Sequence, residues 1–389
     1  MKRIPSRILS KFPPKYKKGG SIWSLAPGRI NIIGEHTDYN RGQVLPAAIN
    51  RYAYFSFIPR PDEVYSITAL DLNEETHGNH KALEKSDKDW ANFLIGNLLQ
   101  FQQNEVELQG FDCAFTSEVP VGAGMSSSSA IECGFLIGLQ QMFQTNFDLW
   151  KLIHMSQRSN HEFLGVKGGI LDQFASFHGQ ADKFIHLDCD TLNYKYYEWS
   201  SSEYIWLVIN SCVKHSHLTS GYNDRAEECA RALISVKELF PDTKHLSDYL
   251  DKEKLKQVHF ENDNHRKRAL YIIEENARVK AFIAALELKN YMECGSLLYD
   301  SHEGMSIKYE ISCPELDFLV ETLQGQPGVI GARMMGGGFG GCTINLVSQA
   351  EVPVIKAYLS PLYKQNFGFE PLYYDLKISD GALAYTKPI

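Results

Sequence analysis

The stretch APGRINIIGEHTDYN, Ala26–Asn40, sets polar chemistry inside an extended, half-apolar segment. Ile30, Ile32 and Ile33 favour a strand with a buried face. Pro27-Gly28 predicts a turn ahead of it, and Gly34 a sharp change of direction just before Glu35, His36 and Asp38. Two carboxylates and an imidazole within four residues suit the recognition of hydroxyl groups, because carboxylates accept and an imidazole donates or accepts. Such a set separates one sugar hydroxyl pattern from its epimers. Arg29 adds a permanent cation. A solvated polar loop, or a metal-binding pair, fits the same tetrad read in isolation.

The rest of the chain bounds what this stretch can serve. Its 389 residues are long for one core and comfortable for two domains, and 44% hydrophobic with 22% charged residues is the balance of a globular protein. A formal net charge of −8 argues against a nucleic-acid binder, which carries a basic excess or stripe. An anionic nucleotide substrate stays compatible, since a divalent ion and local cations offset the global field. Eight scattered cysteines form no C-x-x-C pair and no set with histidine at metal-ligand spacing, so they are expected as buried free thiols. No apolar run approaches a membrane span, and the basic N-terminus, MKRIPSRILSKFPPKYKK, has no apolar core of a secretory signal. The expectation is a cytoplasmic protein, a monomer with no nucleic-acid or membrane partner, whose N-terminus is a short helix and turn with its lysines in solvent.

Along the chain, Gln43–Ile49 and Arg51–Ile58 read as strands, Asp71–Lys88 as a charged connection and Trp90–Phe101 as a helix. Val119–Ala130, VPVGAGMSSSSA, follows the strand-like Phe111–Thr116 and precedes an apolar helix over Ile131–Phe143. Glycines let backbone N–H groups approach an anion, and serines at a helix start add caps, donors and a favourable dipole. By itself this is also an ordinary capped helix start. Leu149–Leu164 reads as a helix leading into Gly168-Gly169-Ile170-Leu171-Asp172-Gln173, and Ser220–Arg225 opens another, with an apolar stripe at Cys229, Leu233, Val236 and Phe240. Gly331–Thr343, GARMMGGGFGGCT, holds five glycines in six positions between strand-like flanks, a composition suited to close backbone approach or to a linker.

GRINIIGEHTDY resembles the signature of galactokinases, within the family of kinases that also phosphorylate homoserine, mevalonate and phosphomevalonate. The serine loop, the segment around Asp172 and the third glycine loop are similar to that family's at the corresponding places, so the resemblance spans nearly the whole chain. It implies Asp172 and Arg29 as catalytic residues, and Glu35, His36, Asp38, Gly169 and Tyr222 around the sugar. Gly122, Ala123, Gly124, Met125, Ser126, Ser127 and Ser128 would surround the phosphates of ATP, with Gly336, Gly337, Gly338 and Gly340 beside them. Ser128 falls where the family has a magnesium-ligand serine. Two positions depart from the pattern. Ser129 stands where alanine is usual, and Asn160 where a glutamate twelve residues before the catalytic aspartate binds Mg2+; Glu162, two residues on, would face about 200° away on a helix.

The fold expected is α+β with two domains meeting at a cleft. By resemblance, residues 1–190 form a ribosomal S5 domain 2-like unit with the sugar and phosphate motifs. Residues 191–389 form a ferredoxin-like unit, with the strand Leu372–Ile378 able to return to the first. Ser301-His302 and the following KYEISCPELD are given a structural role. The activity implied is ATP-dependent phosphorylation of the C1 hydroxyl of D-galactose, with Mg2+ as cofactor. A related sugar 1-kinase acting on N-acetylgalactosamine or arabinose, or a non-catalytic sugar and ATP sensor, shares the same motifs.

Overall fold

The computed structural model describes residues 4–213, 218–248 and 252–387. In chain order the first half contains α1 (Ser6–Leu9), β1 (Ile22–Asn31), β2 (Gln43–Val44), β3 (Pro46–Pro59), β4 (Val64–Ala69), β5 (Glu74–Asn79), α2 (Asp89–Gln103), β6 (Phe111–Ser117), α3 (Ser127–Phe143), α4 (Leu149–Arg158) and α5 (Leu171–His178). Strands β7 (Lys183–Asp188), β8 (Tyr194–Glu198) and β9 (Tyr204–Asn210) follow. The second half continues with α6 (Leu218–Leu239), α7 (Lys252–Leu255), α8 (Asp263–Glu287), α9 (Tyr291–Glu303), α10 (Pro314–Leu323), β10 (Val329–Met335), β11 (Cys342–Ser348), α11 (Val352–Phe367), β12 (Leu372–Asp375) and β13 (Leu383–Thr386).

Among the described residues three sheets result, with orders β13-β1-β3-β6-β4-β5, β10-β11-β9-β12 and β2-β7-β8. Every residue of β1 is buried because both faces of its sheet are covered. One face packs Ala26, Ile30, Phe55 and Phe57 under Cys133, Phe135 and Leu136 of α3. On the other, Ile4, Ile8, Phe12 and Tyr16 lie against Trp23, Leu25, Tyr52 and Tyr54. The N-terminal segment is therefore a cover for the sheet, while its lysines Lys11 and Lys15 stay exposed as expected and pair at the surface with Asp71 and Asp112, as the exposed Arg7 does with Glu118. Met1–Arg3 of the basic stretch lie outside the described residues.

Several boundaries differ from the sequence expectation for local physical reasons. The two strands read at 43–58 are a two-residue pairing at Gln43–Val44 and one long strand, because the half-buried Asn50 and Arg51 do not interrupt β3. The charged connection holds β5, an edge strand that needs only Thr76 buried and so shows no apolar alternation. The helix read over 149–164 is α-helical only to Arg158 and continues as a π-helical turn, Ser159–Leu164. A split near residue 190 falls between β7 and β8, which pair with each other along 183–187 and 194–198.

The C-terminal return is a correction. Leu372–Asp375 does not enter the first sheet but pairs antiparallel with β9. The chain crosses immediately afterwards: Ile378 bridges Ile49, the Ser379 N–H donates to the Ala48 carbonyl, and β13 pairs with β1. Strand propensity is the same in both halves of that stretch. Which sheet has an open edge is a tertiary matter.

Candidate active site

At the end of β1 the chain turns at Gly34, where φ is +95°. Thr37 Oγ1 closes the turn by donating to the Gly34 and Gln43 carbonyls at 2.9 and 2.7 Å. From the other half of the molecule, α8 grips this loop: Glu275 accepts the Gly34 N–H at 2.9 Å and Asn276 the Gln43 N–H at 2.8 Å.

Glu35, His36 and Asp38 then line one cavity of about 320 Å³ with Arg29, Gly169, Asp172, Tyr222, Ser128, Asn160, Gly336 and Gly337. Glu35 Oε1 accepts the Gly336 N–H at 2.8 Å and Arg333 Nη2 at 3.1 Å. His36 is held at both nitrogens, Nε2 3.2 Å from the Gly337 carbonyl and Nδ1 2.8 Å from the Tyr39 hydroxyl. A carbonyl only accepts, so Nε2 carries the proton and Nδ1 accepts from Tyr39. Tyr39 in turn accepts from Tyr309 at 2.7 Å, and Tyr309 from the Cys229 thiol at 3.0 Å. Burial lowers the His36 pKa to about 3, which keeps the ring neutral and this tautomer in place. Tyr222, on α6, packs its ring 5.0 Å from His36 and 5.4 Å from Tyr39.

Asp38 lies across Gly169. A Cβ on Gly169 would sit 1.9 Å from Asp38 Oδ2, so only glycine lets the carboxylate lie there. Burial and, behind it, the charge of Asp172 raise the Asp38 pKa to about 6.

Asp172, in the first turn of α5, is held from two elements. Its Oδ1 accepts Arg29 Nε at 2.8 Å and Nη2 at 2.7 Å, and its Oδ2 accepts the Ser126 hydroxyl at 2.5 Å. Arg29 also donates from Nη1 to the Gly124 carbonyl, tying the acid to the serine loop. Ser126 is left-handed (φ 56°) at the start of α3, and its hydroxyl is committed to Asp172. Ser127 opens α3, whereas Ser128 and Ser129 line the cavity. Ala123 and Met125 are fully buried and contribute backbone only.

Gly122, Gly124, Gly338 and Gly340 line a neighbouring cavity of about 400 Å³ that shares Gly337 with the first. The two glycine loops touch: a Cβ on Gly124 would stand 2.8 Å from the Met335 carbonyl, and one on Gly336 would stand 3.0 Å from Gly124 Cα. Their glycines therefore serve the mutual approach of two backbones as well as any ligand.

Asn160 is half-buried at the π-helical turn and reaches Glu132 beneath it, Nδ2 to Oε2, at 3.3 Å. Glu132, fully buried on α3, has a pKa raised to about 8 by desolvation. Glu162 faces away from the cavity, with a side chain 59% exposed and paired with Arg158 at 3.4 Å.

Sequence reasoning passed over Glu132, Arg333, Tyr39, Tyr309, Glu275 and Asn276. Two carried a signal, a lone acid in the apolar helix sequence AIECGF and a lone cation in the apolar strand GARMM. A charge amid residues that must be buried needs a partner. Arg333 finds it in the Asn31 and Ile32 carbonyls and Glu35, with no exposure of its own. The others are ordinary polar residues on helices and loops, and nothing local marks them.

Comparison with known proteins decides the kinship. The galactokinase galactose-binding signature matches residues 10–59, the N-terminal domain of GHMP kinases 92–180 and their C-terminal domain 282–365. A galactokinase of Thermotoga petrophila is 37% identical, with 92% of this chain and 98% of the relative covered. The chain belongs to the galactokinase family. A galactokinase of Limosilactobacillus reuteri is 34% identical over 96% of this chain and 98% of its own. The crystal structure of Lactococcus lactis galactokinase complexed with galactose superposes with a TM-score of 0.89 at 32% identity, covering 94% of this chain and 95% of that one. As a member of the galactokinase family, the chain carries Arg29, Glu35, His36 and Asp38 inside the galactose-binding signature, and the serine loop and Asp172 inside the N-terminal domain match. Tyr222 lies between the matched regions.

Proposed function

We propose that this protein transfers the terminal phosphoryl group of ATP to the C1 hydroxyl of D-galactose, giving galactose 1-phosphate and ADP. The observation that carries the reading is Asp172, held by Arg29 and Ser126 in a cavity whose walls are the hydroxyl-reading set on one side and two touching glycine loops on the other. Asp38 and Tyr222, which line the cavity together, fix the sugar; Glu35 and His36, themselves fastened to the glycine loop, give that wall its rigidity. Asp172 orients the C1 hydroxyl and takes its proton as the new P–O bond forms. Both of its oxygens already accept hydrogen bonds, so its contribution is placement more than basicity, which suits a loose phosphoryl transfer. Arg29 spans Asp172 and the serine loop, where it meets charge growing on the transferred group.

The donors Ser128, Asn160 and Asp172 line the same cavity and are hard oxygen ligands, which fits Mg2+. Among the described residues no group of three His, Cys, Asp or Glu is placed to cage an ion. Ser128 and Asn160 would therefore hold it together with the nucleotide phosphates, and its chemistry there would be to neutralise negative charge on the transferred group. All eight cysteines are free, and seven are buried, which supports a reducing, cytoplasmic setting. Among the described residues no helix is long and apolar enough to cross a membrane. A coupled ADP-release assay over a panel of sugars tests the reading: galactose should give the highest kcat/KM. A higher value for N-acetylgalactosamine or arabinose reassigns the substrate, and no sugar-dependent ADP release removes the activity.

A further inference from the structure

Glu132 lies one layer beneath the cavity, on α3, with no exposure to solvent. Its Oε2 accepts two hydrogen bonds, from the Ser156 hydroxyl at 2.9 Å and from Asn160 Nδ2 at 3.3 Å. Asn160 is the upper partner and lines the cavity alongside Ser128 and Asp172. A carboxamide donates from one end and accepts at the other, so an acceptor beneath it selects which end faces up. With Nδ2 turned down onto Glu132, Oδ1 is the end left to the cavity. The backbone is pinned as well, since the Asn160 carbonyl accepts the Val166 N–H at 2.9 Å where the π-helical turn closes. Without the carboxyl below, rotation about the last side-chain torsion costs little and would present N–H donors, which no cation accepts.

We infer that Glu132 is a positioning residue, which holds the Asn160 amide oxygen toward the cavity as a ligand for the divalent ion that accompanies ATP. The inference rests on the kinase reading above. The two side chains are matched as they stand, acceptor below and amide above. A carboxylate at 160 would have no hydrogen to give Glu132 and could pair with it only by accepting the proton of the neutral acid. Exchanging the two groups, with the amide below and the carboxylate above, preserves the match and puts a charged oxygen at the cavity.

The experiment reads metal binding without turnover: Mn2+ is titrated by electron paramagnetic resonance into the protein saturated with a non-hydrolysable ATP analogue, with galactose affinity measured in parallel by calorimetry. Glu132→Gln can offer its own amide hydrogens and release Asn160. Glu132→Asp keeps the acid but withdraws it by one methylene. Both should weaken Mn2+ binding by about tenfold, the scale of losing a partner that orients a metal ligand, and leave galactose affinity within about twofold. The exchange variant Glu132→Gln/Asn160→Asp should restore Mn2+ affinity to the wild-type value or better. Wild-type Mn2+ affinity in both single variants overturns the inference, as does a parallel loss of Mn2+ and galactose binding, or a double variant no better than Glu132→Gln alone. Failure of the kinase reading looks different: the wild type itself would show no complex of protein, nucleotide and Mn2+.

Discussion

At the scale of single residues, Asp172 and Asp38 divide the work of two carboxylates by their surroundings. Asp172 is held by a guanidinium and a hydroxyl, whereas Asp38 sits in a desolvated wall with its pKa raised to about 6. Asp172→Asn keeps the shape but removes the proton acceptor and turns one of the two oxygens held by Arg29 and Ser126 into a donor, so placement is lost as well. It should abolish measurable phosphoryl transfer while galactose affinity by calorimetry stays within about tenfold. The Asp38 shift predicts a pH dependence whose sign follows from which form binds. The ionised carboxylate is the stronger acceptor for sugar hydroxyls, so affinity should be full above about pH 7 and fall as pH drops through 6, by about tenfold per unit. Calorimetry between pH 5 and 8 reads this, and Asp38→Asn should flatten the profile. Stability runs the opposite way. The folded state holds this proton at pH values where the unfolded chain, near 3.8, has lost it, so the group favours the fold at low pH and that contribution is lost as pH rises through about 6.

At the scale of elements, the site depends on loops that hold each other. Glu35 and His36 fasten the third glycine loop, and β10 fastens the first motif through Arg333. Arg333→Met would strand two carbonyls and a buried carboxylate, and should cost about 3–5 kcal/mol in denaturant unfolding. A loss below about 1 kcal/mol would mean that Glu35 finds another partner. Gly169→Ala places a methyl group on Asp38 Oδ2 and must push that carboxylate aside. Its expected signature is a galactose Kd raised at least about tenfold with nucleotide affinity unchanged, both measured by calorimetry.

For the whole molecule, the last residues close the first sheet. β13 pairs with β1, and the N–H groups of Gly381 and Ala382 donate to the carbonyls of Gly179 and Ser176, at the C-terminal end of α5, the helix whose first turn holds Asp172. Ending the chain after Asp380 exposes the edge of β1 while leaving every proposed site residue present. Such a variant should melt at least about 5 °C lower in calorimetric scans and lose activity in proportion to the unfolded fraction.

What the sequence determined by itself is the local chemistry: β1 from its isoleucines, the capped start of α3 from its glycines and serines, and the group at Glu35, His36 and Asp38 from residue type alone. These were legible because each is set by neighbours within a few positions, through strand propensity, turn geometry and helix capping. That Asp172 and Arg29 belong to one site came only through the family resemblance, since 143 residues separate them. Only tertiary structure decided the edge on which Leu372–Asp375 pairs, the N-terminal cover over the sheet, the relay from Cys229 to His36 and the buried acid under Asn160. Each of these joins groups far apart in the chain, and their energies come from desolvation and from hydrogen bonds that exist only once distant surfaces have met.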